Sequence, residues 1–422
     1  MLLKHPVIIW LQTNYSWLLV IAVLPLFREN ALYNIPLLLL AALACYRLTT
    51  GHRDQFLQPP LVLFVVAFLA LWLPQLIALV DAYHFSASAK KALPYIGYGL
   101  AGFYIAAYIN RSDLDKILTG IAVVVLVWCI DALLALAGIW SIFGYNPKPG
   151  MVMGIFFQKQ SIGHICAVLF PVVLEILRRR HWHGLWLMLV ALVIVTIVLL
   201  SGRRVAWMML AFAASGYVVY LWLVVGLLRW RRLIVISVLL ATTIAVLHNS
   251  YSPFASRFNQ ALGLFSGDTE LVAAATSQRT DIWRTGVTIF QDRWLNGIGP
   301  RGFRYAYMDY ADTNDYWRLR QTAPTQPHLH ILEIAVGTGV TGLAGYLVFL
   351  LCLWKGLRNR QAGYHWVLGL AVITAVLPVN AHLAFYGSYW SAFLWWLTGL
   401  MYAAIRIHHP PAQDDSTSGQ ST

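Results

Sequence analysis

The chain has 422 residues, of which 59% are hydrophobic and only 11% are charged, and this balance excludes an ordinary soluble domain. The composition instead predicts an integral membrane protein. A formal net charge of +13 would also suit a nucleic-acid-binding protein. Roughly half of the basic residues, however, fall in short loops between apolar stretches, where they anchor helices at anionic lipid. We therefore expect no nucleic acid among the partners.

The apolar stretches predict an all-α polytopic fold with about twelve transmembrane helices, because a helix needs roughly 20 apolar residues to cross the hydrocarbon core. The predicted spans are residues 7–27, 31–48, 60–80, 92–109, 117–137, 161–177, 185–200, 205–228, 233–247, 331–353, 366–384 and 391–406. No small-residue cleavage site follows the first span, so we expect it to be retained. Because all four cysteines fall within predicted spans, the sequence implies no disulfide framework.

Basic residues predict the orientation, because they concentrate in alternate short loops, which the positive-inside rule places in the cytoplasm. These residues are Arg47, Arg53, Arg111, Lys116, Arg178 to Arg180, Arg229, Arg231, Arg232, Lys355, Arg358 and Arg360. Nine spans then occupy residues 1–247, and a long loop occupies 248–330 on the opposite side, which in a bacterium is the periplasm. Three spans occupy 331–406, and 407–422 form a polar, disordered cytoplasmic tail.

A second group of basic residues lies on the predicted outer side, where the positive-inside rule does not require them. It comprises Lys90, Lys91, Arg203, Arg204 and the eight arginines of the long loop. A solvated surface or an interfacial anchor explains any one of them, but together they predict an anionic ligand. Arg203 and Arg204 share one short turn, and arginine binds phosphate oxygens through a planar fork of donors. The pair could clamp a pyrophosphate, and Lys90 and Lys91 could assist, although surface lysines are the simpler interpretation.

Within the long loop, the apolar residues recur at helical spacing and predict a short amphipathic helix that lies on the membrane. They are Ile282, Trp283, Val287, Ile289 and Phe290. Arg279 falls in the first turn of this helix, and Trp283 follows one turn later on the same face. A guanidinium at a helix N-terminus adds to the positive end of the dipole, an arrangement that suits a phosphate.

The segment "QPHLHILEIAVGTGVTG", residues 326–342, places titratable groups where the long loop ends and the next span begins. There His328 and Glu333 can face a wet cavity rather than lipid. Gly337, Gly339 and Gly342 follow at a spacing that predicts close packing of a neighbouring helix. We expect neither a metal nor another cofactor. His328 and His330 lack a carboxylate cluster, and Asp309, Asp312 and Asp315 match no metal-binding loop.

One further charge, Asp131, lies within the fifth predicted span, where burial is costly and requires a partner. The sequence does not identify that partner.

The ordered combination of these motifs resembles the O-antigen ligase and polymerase superfamily. It consists of an arginine at an outward turn, Arg279 with Trp283, "GIG" at 297–299, and His328 eleven residues before Gly339-x-x-Gly342. Leu329 stands where the family has a small polar residue, so His330 stays open as an alternative base. The segment "GIFFQKQSIGH" from Gly154, with Gln158, resembles the family's sequence before its middle span. The segment "LPVNAHLAFYGSYWSAFLWWLTGL", residues 377–400, resembles its closing helices.

The resemblance implies a GT-C-like, metal-independent enzyme of the bacterial inner membrane. Such an enzyme transfers a glycan, with inversion, from undecaprenyl pyrophosphate to an acceptor at the periplasmic face. It implies that His328 is the base and that Arg204 and Arg279 act on the pyrophosphate. The further candidate substrate contacts are Arg203, Lys90, Lys91, Gln158, His330 and Trp283. The favoured activity is an O-antigen ligase acting on lipid A-core oligosaccharide. An O-antigen polymerase, a protein O-glycan ligase and, from another class, a lipid-linked oligosaccharide flippase remain alternatives.

Overall fold

The computed structural model describes residues 6–27, 31–51, 57–139, 141–142, 151–156, 161–228, 230–358, 362–381 and 383–408. These residues form helices and turns, and the described ranges contain no strand. The α-helices are α1 (Pro6–Ala22), α2 (Asn34–Thr50), α3 (Pro59–Ile77), α4 (Phe85–Ala92), α5 (Tyr95–Tyr108), α6 (Arg111–Leu136), α7 (Ile162–Arg179), α8 (Gly184–Leu200), α9 (Arg204–Leu223), α10 (Trp230–Ser250), α11 (Ser252–Leu262), α12 (Thr269–Ala275), α13 (Arg279–Asp292), α14 (Phe303–Tyr310), α15 (Tyr316–Leu319), α16 (His330–Leu357), α17 (Tyr364–Ala375) and α18 (Ser388–His408).

The predicted all-helical class is confirmed, and each predicted span coincides with a helix: α1 to α3, α5 to α10 and α16 to α18. By length and composition, six of these are able to cross a membrane: α2 with its preceding turn, α3, α6, α9, α10 and α16. Two more, α8 and α17, are apolar but shorter. The number of spans, about twelve, stays a prediction. The predicted tail begins too early, because α18 continues to His408, and residues 409–422 lie outside the described ranges.

Helix α18 forms the centre of the bundle, and every residue from Tyr389 to Ile405 is buried. It packs against α5 and α17, and α17 in turn packs against α7. Three fully buried tryptophans, Trp390, Trp395 and Trp396, fill the space around it. Burial of such large rings makes this helix a core element with neighbours on all sides.

The loops after α5 and α7 meet the start of α17 and the end of α18 at one end of the bundle. The Arg180 guanidinium donates to Thr119 in the early part of α6. The Arg179 guanidinium lies 4.9 Å from the ring centroid of Tyr364 at the start of α17. At the end of α18, Arg406 donates to the carbonyl of Ile109, just after α5. Loops that are far apart in the sequence therefore meet at this end, which we call the basic end.

Residues 248–330 fold into the short helices α11 to α15, and part of this segment shares a small hydrophobic core with α16. The helix predicted around Arg279 exists as α13, and of its five predicted apolar residues only Val287 lies outside the packed face. Ile282 and Ile289 are buried, whereas Val287 is 45% exposed. Because α13 packs against α16, its buried face turns towards protein rather than towards a membrane surface.

Helix α16 contains a break that the glycine spacing did not predict. Gly339 has φ +63° and ψ −157°, a conformation that is essentially restricted to glycine. A Cβ atom here would lie 2.2 Å from the carbonyl oxygen of Leu295. The N–H of Val340 donates to the carbonyl of Trp294 at 2.8 Å. The interpretation of Gly339 as a helix-packing residue is therefore wrong, because it opens α16 so that the turn after α13 can bind.

The partner that Asp131 requires is a serine. Its Oδ1 accepts a hydrogen bond from Ser141 Oγ at 2.7 Å, and the carboxylate is fully buried. The cysteines Cys45, Cys129, Cys166 and Cys352 are free thiols, in agreement with the absence of a disulfide framework in the prediction.

Candidate active site

The turn between α8 and α9 presents Arg203 and Arg204 beside a third arginine. Gly202 in this turn has φ +68°, and a Cβ atom there would lie 1.6 Å from Nη1 of Arg257. Only glycine gives the turn both its left-handed backbone and the space for that guanidinium. Helix α11 thus contributes Arg257 to the pair that the sequence predicted.

The start of α13 is held against the same turn. Ser277 and Gln278, just before Arg279, both have left-handed backbones, with φ of 59° and 58°. Such a conformation costs about 1–3 kcal/mol for a residue other than glycine, so surrounding contacts must maintain it. Arg204 Nη2 donates to Ser277 Oγ at 2.7 Å, and Trp317 Nε1 donates to the Gln278 carbonyl at 2.9 Å.

The arginines of these two segments form one cationic cluster, which we call the arginine cluster: Arg203, Arg204, Arg257 and Arg279. Burial, followed by the charges of Arg204 and Arg203, lowers the pKa of Arg279 to about 10. Burial and the charge of Arg257 lower the pKa of Arg203. Arg257 therefore lies close enough to repel Arg203 and Arg204, and these two lie close enough to repel Arg279.

Some hydrogen-bond donors of the arginine cluster have no acceptor among the described residues. In the described part of the chain, Arg203, Arg204 and Arg279 form no salt bridge. Arg203 Nε and Arg204 Nη1 are buried and have no hydrogen-bond partner among the described residues. Buried cations without counter-charge are costly, and a bound anion would remove that cost.

His328 lies beside this cluster in a strained backbone conformation with φ 53°. Its Nδ1 is 2.9 Å from the carbonyl oxygen of Ala381. A carbonyl can only accept, so Nδ1 carries the hydrogen and Nε2 has the free lone pair. Burial, followed by the charge of Arg279, lowers the pKa of His328 to about 4, and the charges of Arg301 and Arg203 contribute further. His328 is therefore neutral at neutral pH and able to accept a proton.

A fifth arginine approaches His328 through a glutamine. Arg301 Nη1 donates to Gln326 Oε1 at 2.9 Å, which fixes the orientation of the Gln326 amide. Gln326 Nε2 then lies 3.3 Å from His328 Nδ1, as a neighbour rather than as a donor, because Nδ1 is itself protonated. Arg257 and Arg301 were predicted to bind an anion only as members of the set of eight loop arginines. No spacing in the sequence distinguishes these two from the other six.

His330 and Glu333 lie behind His328 in the protein interior. His330 is 1% exposed, and its Nε2 lies 2.9 Å from the carbonyl oxygen of Leu383. The Glu333 carboxylate accepts from the N–H groups of Phe385 and Tyr386 at 2.9 and 3.4 Å. Glu333 is 5% exposed and lines a small cavity together with Arg301 and Gln326, and whether that cavity is wet stays a prediction. Both residues also position the segment that precedes α18.

The other predicted substrate contacts lie in different settings. Trp283, one turn after Arg279, has a buried Nε1 with no hydrogen-bond partner in the described ranges. Lys91 Nζ donates to Ser388 Oγ at 2.9 Å, at the start of α18, and Lys90 is exposed. Gln158 lies outside the described residues.

The three loop aspartates serve local structure. Asp315 caps α15 and accepts from the Tyr307 hydroxyl at 2.8 Å. Asp309 accepts from the Tyr83 hydroxyl, and Asp312 accepts from the N–H of Asn314. The part of the chain that the structure describes holds no group of three or more His, Cys, Asp or Glu residues that could bind a metal ion.

Comparison with known proteins identifies the segment that carries the site. A search of curated proteins found no match to the chain. The family model of O-antigen ligase matches residues 189–347, which extend from α8 to α16. This range contains the whole arginine cluster, Arg301, Gln326 and His328. The resemblance inferred from the sequence motifs is thereby confirmed over residues 189–347, the part of the chain that is similar to the O-antigen ligase family.

Proposed function

We propose that this protein is an O-antigen ligase of the bacterial inner membrane. In this proposal it transfers O-antigen glycan from undecaprenyl pyrophosphate to a hydroxyl of lipid A-core oligosaccharide at the periplasmic face. One observation carries the proposal: buried arginine donors with no hydrogen-bond partner among the described residues belong to a cationic cluster beside His328, whose charges keep that histidine neutral. The arginine cluster would bind the pyrophosphate, and His328 would activate the acceptor.

The transfer requires one proton to move and one bond to exchange. His328 Nε2 takes the proton of the acceptor hydroxyl while the hydroxyl oxygen attacks the anomeric carbon. The bond between that carbon and the pyrophosphate oxygen breaks, and the pyrophosphate leaves with the electron pair. Attack from the opposite face inverts the anomeric centre. Arg204 and Arg279 stabilise the negative charge that develops on the leaving group, and Arg203 and Arg257 lie beside them.

The proposed orientation follows from the two ends of the bundle. The arginine cluster lies on segments that the sequence analysis assigned to the outer side, whereas the short basic loops meet at the basic end. The positive-inside rule places the basic end in the cytoplasm, and the arginine cluster would then face the periplasm.

Other members of the superfamily would need the same residues. An O-antigen polymerase or a protein O-glycan ligase requires a pyrophosphate clamp and a base as well. We favour the lipopolysaccharide ligase because His328, Gly339 and Gly342 nearly reproduce the ligase motif and because the long outer segment is undivided. A lipid-linked oligosaccharide flippase would not need His328 as a base.

A gel of lipopolysaccharide separates these activities. Cells that lack the protein are complemented with the wild type or with His328→Ala. We expect the ladder to disappear without the protein, lipid-linked polymer to accumulate, and only the wild type to restore the ladder. Core bearing a single repeat would indicate a polymerase, and an unchanged ladder would refute a role in lipopolysaccharide synthesis. Restoration by His328→Ala would refute the proposed base.

A further inference from the structure

A cleft at the basic end lies far from the arginine cluster along the chain and has no role in the proposed transfer. It has a volume of about 840 Å³ and lies between α1, the first half of α6 and the turn after α7. Three cationic side chains line it, Arg111, Lys116 and Arg180, together with one carboxylate, Asp115. These side chains give the cleft a surplus of positive charge.

The cationic side chains come from separate parts of the fold and are held in place differently. Lys116 Nζ lies 5.5 Å from the ring centroid of Trp17 and 3.2 Å from Asn14 Oδ1, both on α1. Lys116 Nζ also forms an ion pair with Asp113, at 3.4 Å. Arg180, from the end of α7, donates to Thr119 on α6. Arg111 is exposed and forms no salt bridge within the described ranges.

An apolar surface continues from the cationic side chains along α6. Val123, which lines the cleft, is 54% exposed, and the exposed Val127 and Ile130 follow about one turn apart. These residues lie deeper along a helix that is long and apolar enough to cross a membrane. A cationic pocket next to an exposed apolar stripe complements a molecule with an anionic head and hydrocarbon chains. A free phosphate would make no use of the stripe.

We propose that this cleft binds an anionic phospholipid of the cytoplasmic leaflet. The lipid phosphate lies among Arg111, Lys116 and Arg180, the glycerol region packs against Trp17, and an acyl chain follows the exposed face of α6. The inference depends on the orientation of the bundle and not on the transfer reaction, so the two can fail separately.

The test measures lipid retention by the full-length protein. Wild type, Arg111→Gln/Lys116→Gln/Arg180→Gln and a control, Lys355→Gln/Arg358→Gln, are purified, delipidated and exposed to equal amounts of phosphatidylglycerol and phosphatidylethanolamine. Bound lipid is counted by native mass spectrometry. The control removes two exposed basic residues from the end of α16, also on a predicted cytoplasmic loop, without touching the cleft. We expect the triple variant to retain about one tenth of the phosphatidylglycerol that the wild type and the control retain, as a loss of about 1.4 kcal/mol in binding implies.

Equal retention by the triple variant and the wild type would overturn the proposal. Equal binding of phosphatidylethanolamine would show that charge is not recognised, and competition by millimolar inorganic phosphate would show a soluble-anion site instead. If the triple variant does not fold, Arg111→Gln alone decides the question, because the exposed Arg111 side chain forms none of the described salt bridges. Its retention of phosphatidylglycerol must fall measurably below that of the control.

Discussion

His328 is held in one tautomer by a single backbone contact. The carbonyl of Ala381 accepts from Nδ1–H at 2.9 Å, so Nε2 is available as the base. Burial and Arg279 stabilise the neutral ring, because an imidazolium at this position would lie among cations. The same charges that would bind a leaving pyrophosphate therefore keep His328 neutral, which is the form that can accept a proton.

The pH dependence of the reaction tests this coupling. A base must be neutral, so activity is present above its pKa and is lost as pH falls through it. Since the pKa of His328 in the substrate-free protein is about 4, we expect kcat/KM to stay constant from about pH 8 down to pH 5. A bound pyrophosphate neutralises nearby arginines and raises that pKa, so kcat should decline at a higher pH than kcat/KM. A decline in kcat/KM near pH 6.5, the ordinary value for histidine, would contradict the depressed pKa.

Arg279 should be the most sensitive position of the arginine cluster. Arg279→Ala removes a donor to the leaving group, and we expect kcat to fall by about 10²–10³-fold, as on loss of one charge-stabilising group. Arg279→Lys should also be poor, because lysine lacks the bidentate fork. Purified variants are assayed with lipid-linked donor at saturation. Arg284→Ala is the control on the same helix, because its ion pair with Asp281 lies in solvent. Wild-type turnover by Arg279→Ala would refute the clamp.

Arg301 should act as a positioning residue, through Gln326. Arg301→Gln removes a cation near His328 and frees the Gln326 amide to turn. We expect a lower kcat together with an acid limb of kcat/KM that moves to higher pH, since one charge that lowers the pKa of His328 is lost. If Arg301 had a purely structural role, Arg301→Gln would lower activity without shifting the acid limb of the pH profile of kcat/KM. The exposed Arg320 provides the control, and Arg320→Gln should match the wild type in both readouts.

Among the elements, the break in α16 joins the outer segment to the bundle. The turn after α13 donates and accepts backbone hydrogen bonds with α16 on both sides of Gly339. Ile298 N donates to the Val336 carbonyl at 2.9 Å, and Val340 N donates to the Trp294 carbonyl at 2.8 Å. Because α13 begins with Arg279 and α16 begins just after His328, this junction sets the position of the clamp relative to the base.

Gly339→Ala should damage that junction, whereas Gly337→Ala should not. Alanine at 339 adds about 1–3 kcal/mol of backbone strain and a Cβ atom 2.2 Å from the Leu295 carbonyl oxygen. At 337 the nearest atom would be 3.4 Å away, on the Tyr386 ring, which is an ordinary contact. We expect a lower thermal midpoint and little transfer activity for Gly339→Ala only. If both variants behave alike, the break is not what positions the site.

Hydrophobic periodicity predicted where the helices lie, but it did not predict which segments pack against them. Each apolar stretch became a helix, because about 20 consecutive apolar residues allow few other structures. The spacing of the glycines in 337–342 is compatible both with helix packing and with a helix break. Only the contact of Gly339 with the turn at Leu295 distinguishes the two interpretations. Likewise, its spacing placed Val287 on the predicted apolar face of α13. Because α16 covers the side of α13 that carries Ile282 and Ile289, Val287 stays exposed.

At the scale of the whole molecule, the site consists of residues that the fold brings together from distant segments. Arg203 and Arg204 were predictable, because two adjacent arginines in a short outer turn are unusual. Arg279 and His328 were singled out by position, in the first turn of a predicted helix and at the end of the long loop, and the order of the family motifs then gave them roles. Arg257 and Arg301 were not found individually, because neither has a local pattern. Their positions depend on how α11 and the turn after α13 pack, which is long-range information.

Anion binding should stabilise the whole protein, because Arg203, Arg204 and Arg279 are partly buried and form no salt bridge with the described residues. A ligand that binds only the folded state adds about 2.7 kcal/mol at a concentration of 100 Kd. We therefore expect inorganic pyrophosphate to raise the thermal midpoint of the wild type at constant ionic strength, and EDTA to leave that rise unchanged. Arg279→Gln should begin with a midpoint at or above that of the wild type, because a repelling charge is gone, and should respond less. A decrease in its midpoint with an undiminished response to pyrophosphate would mean that the anion binds elsewhere and that Arg279 serves the fold.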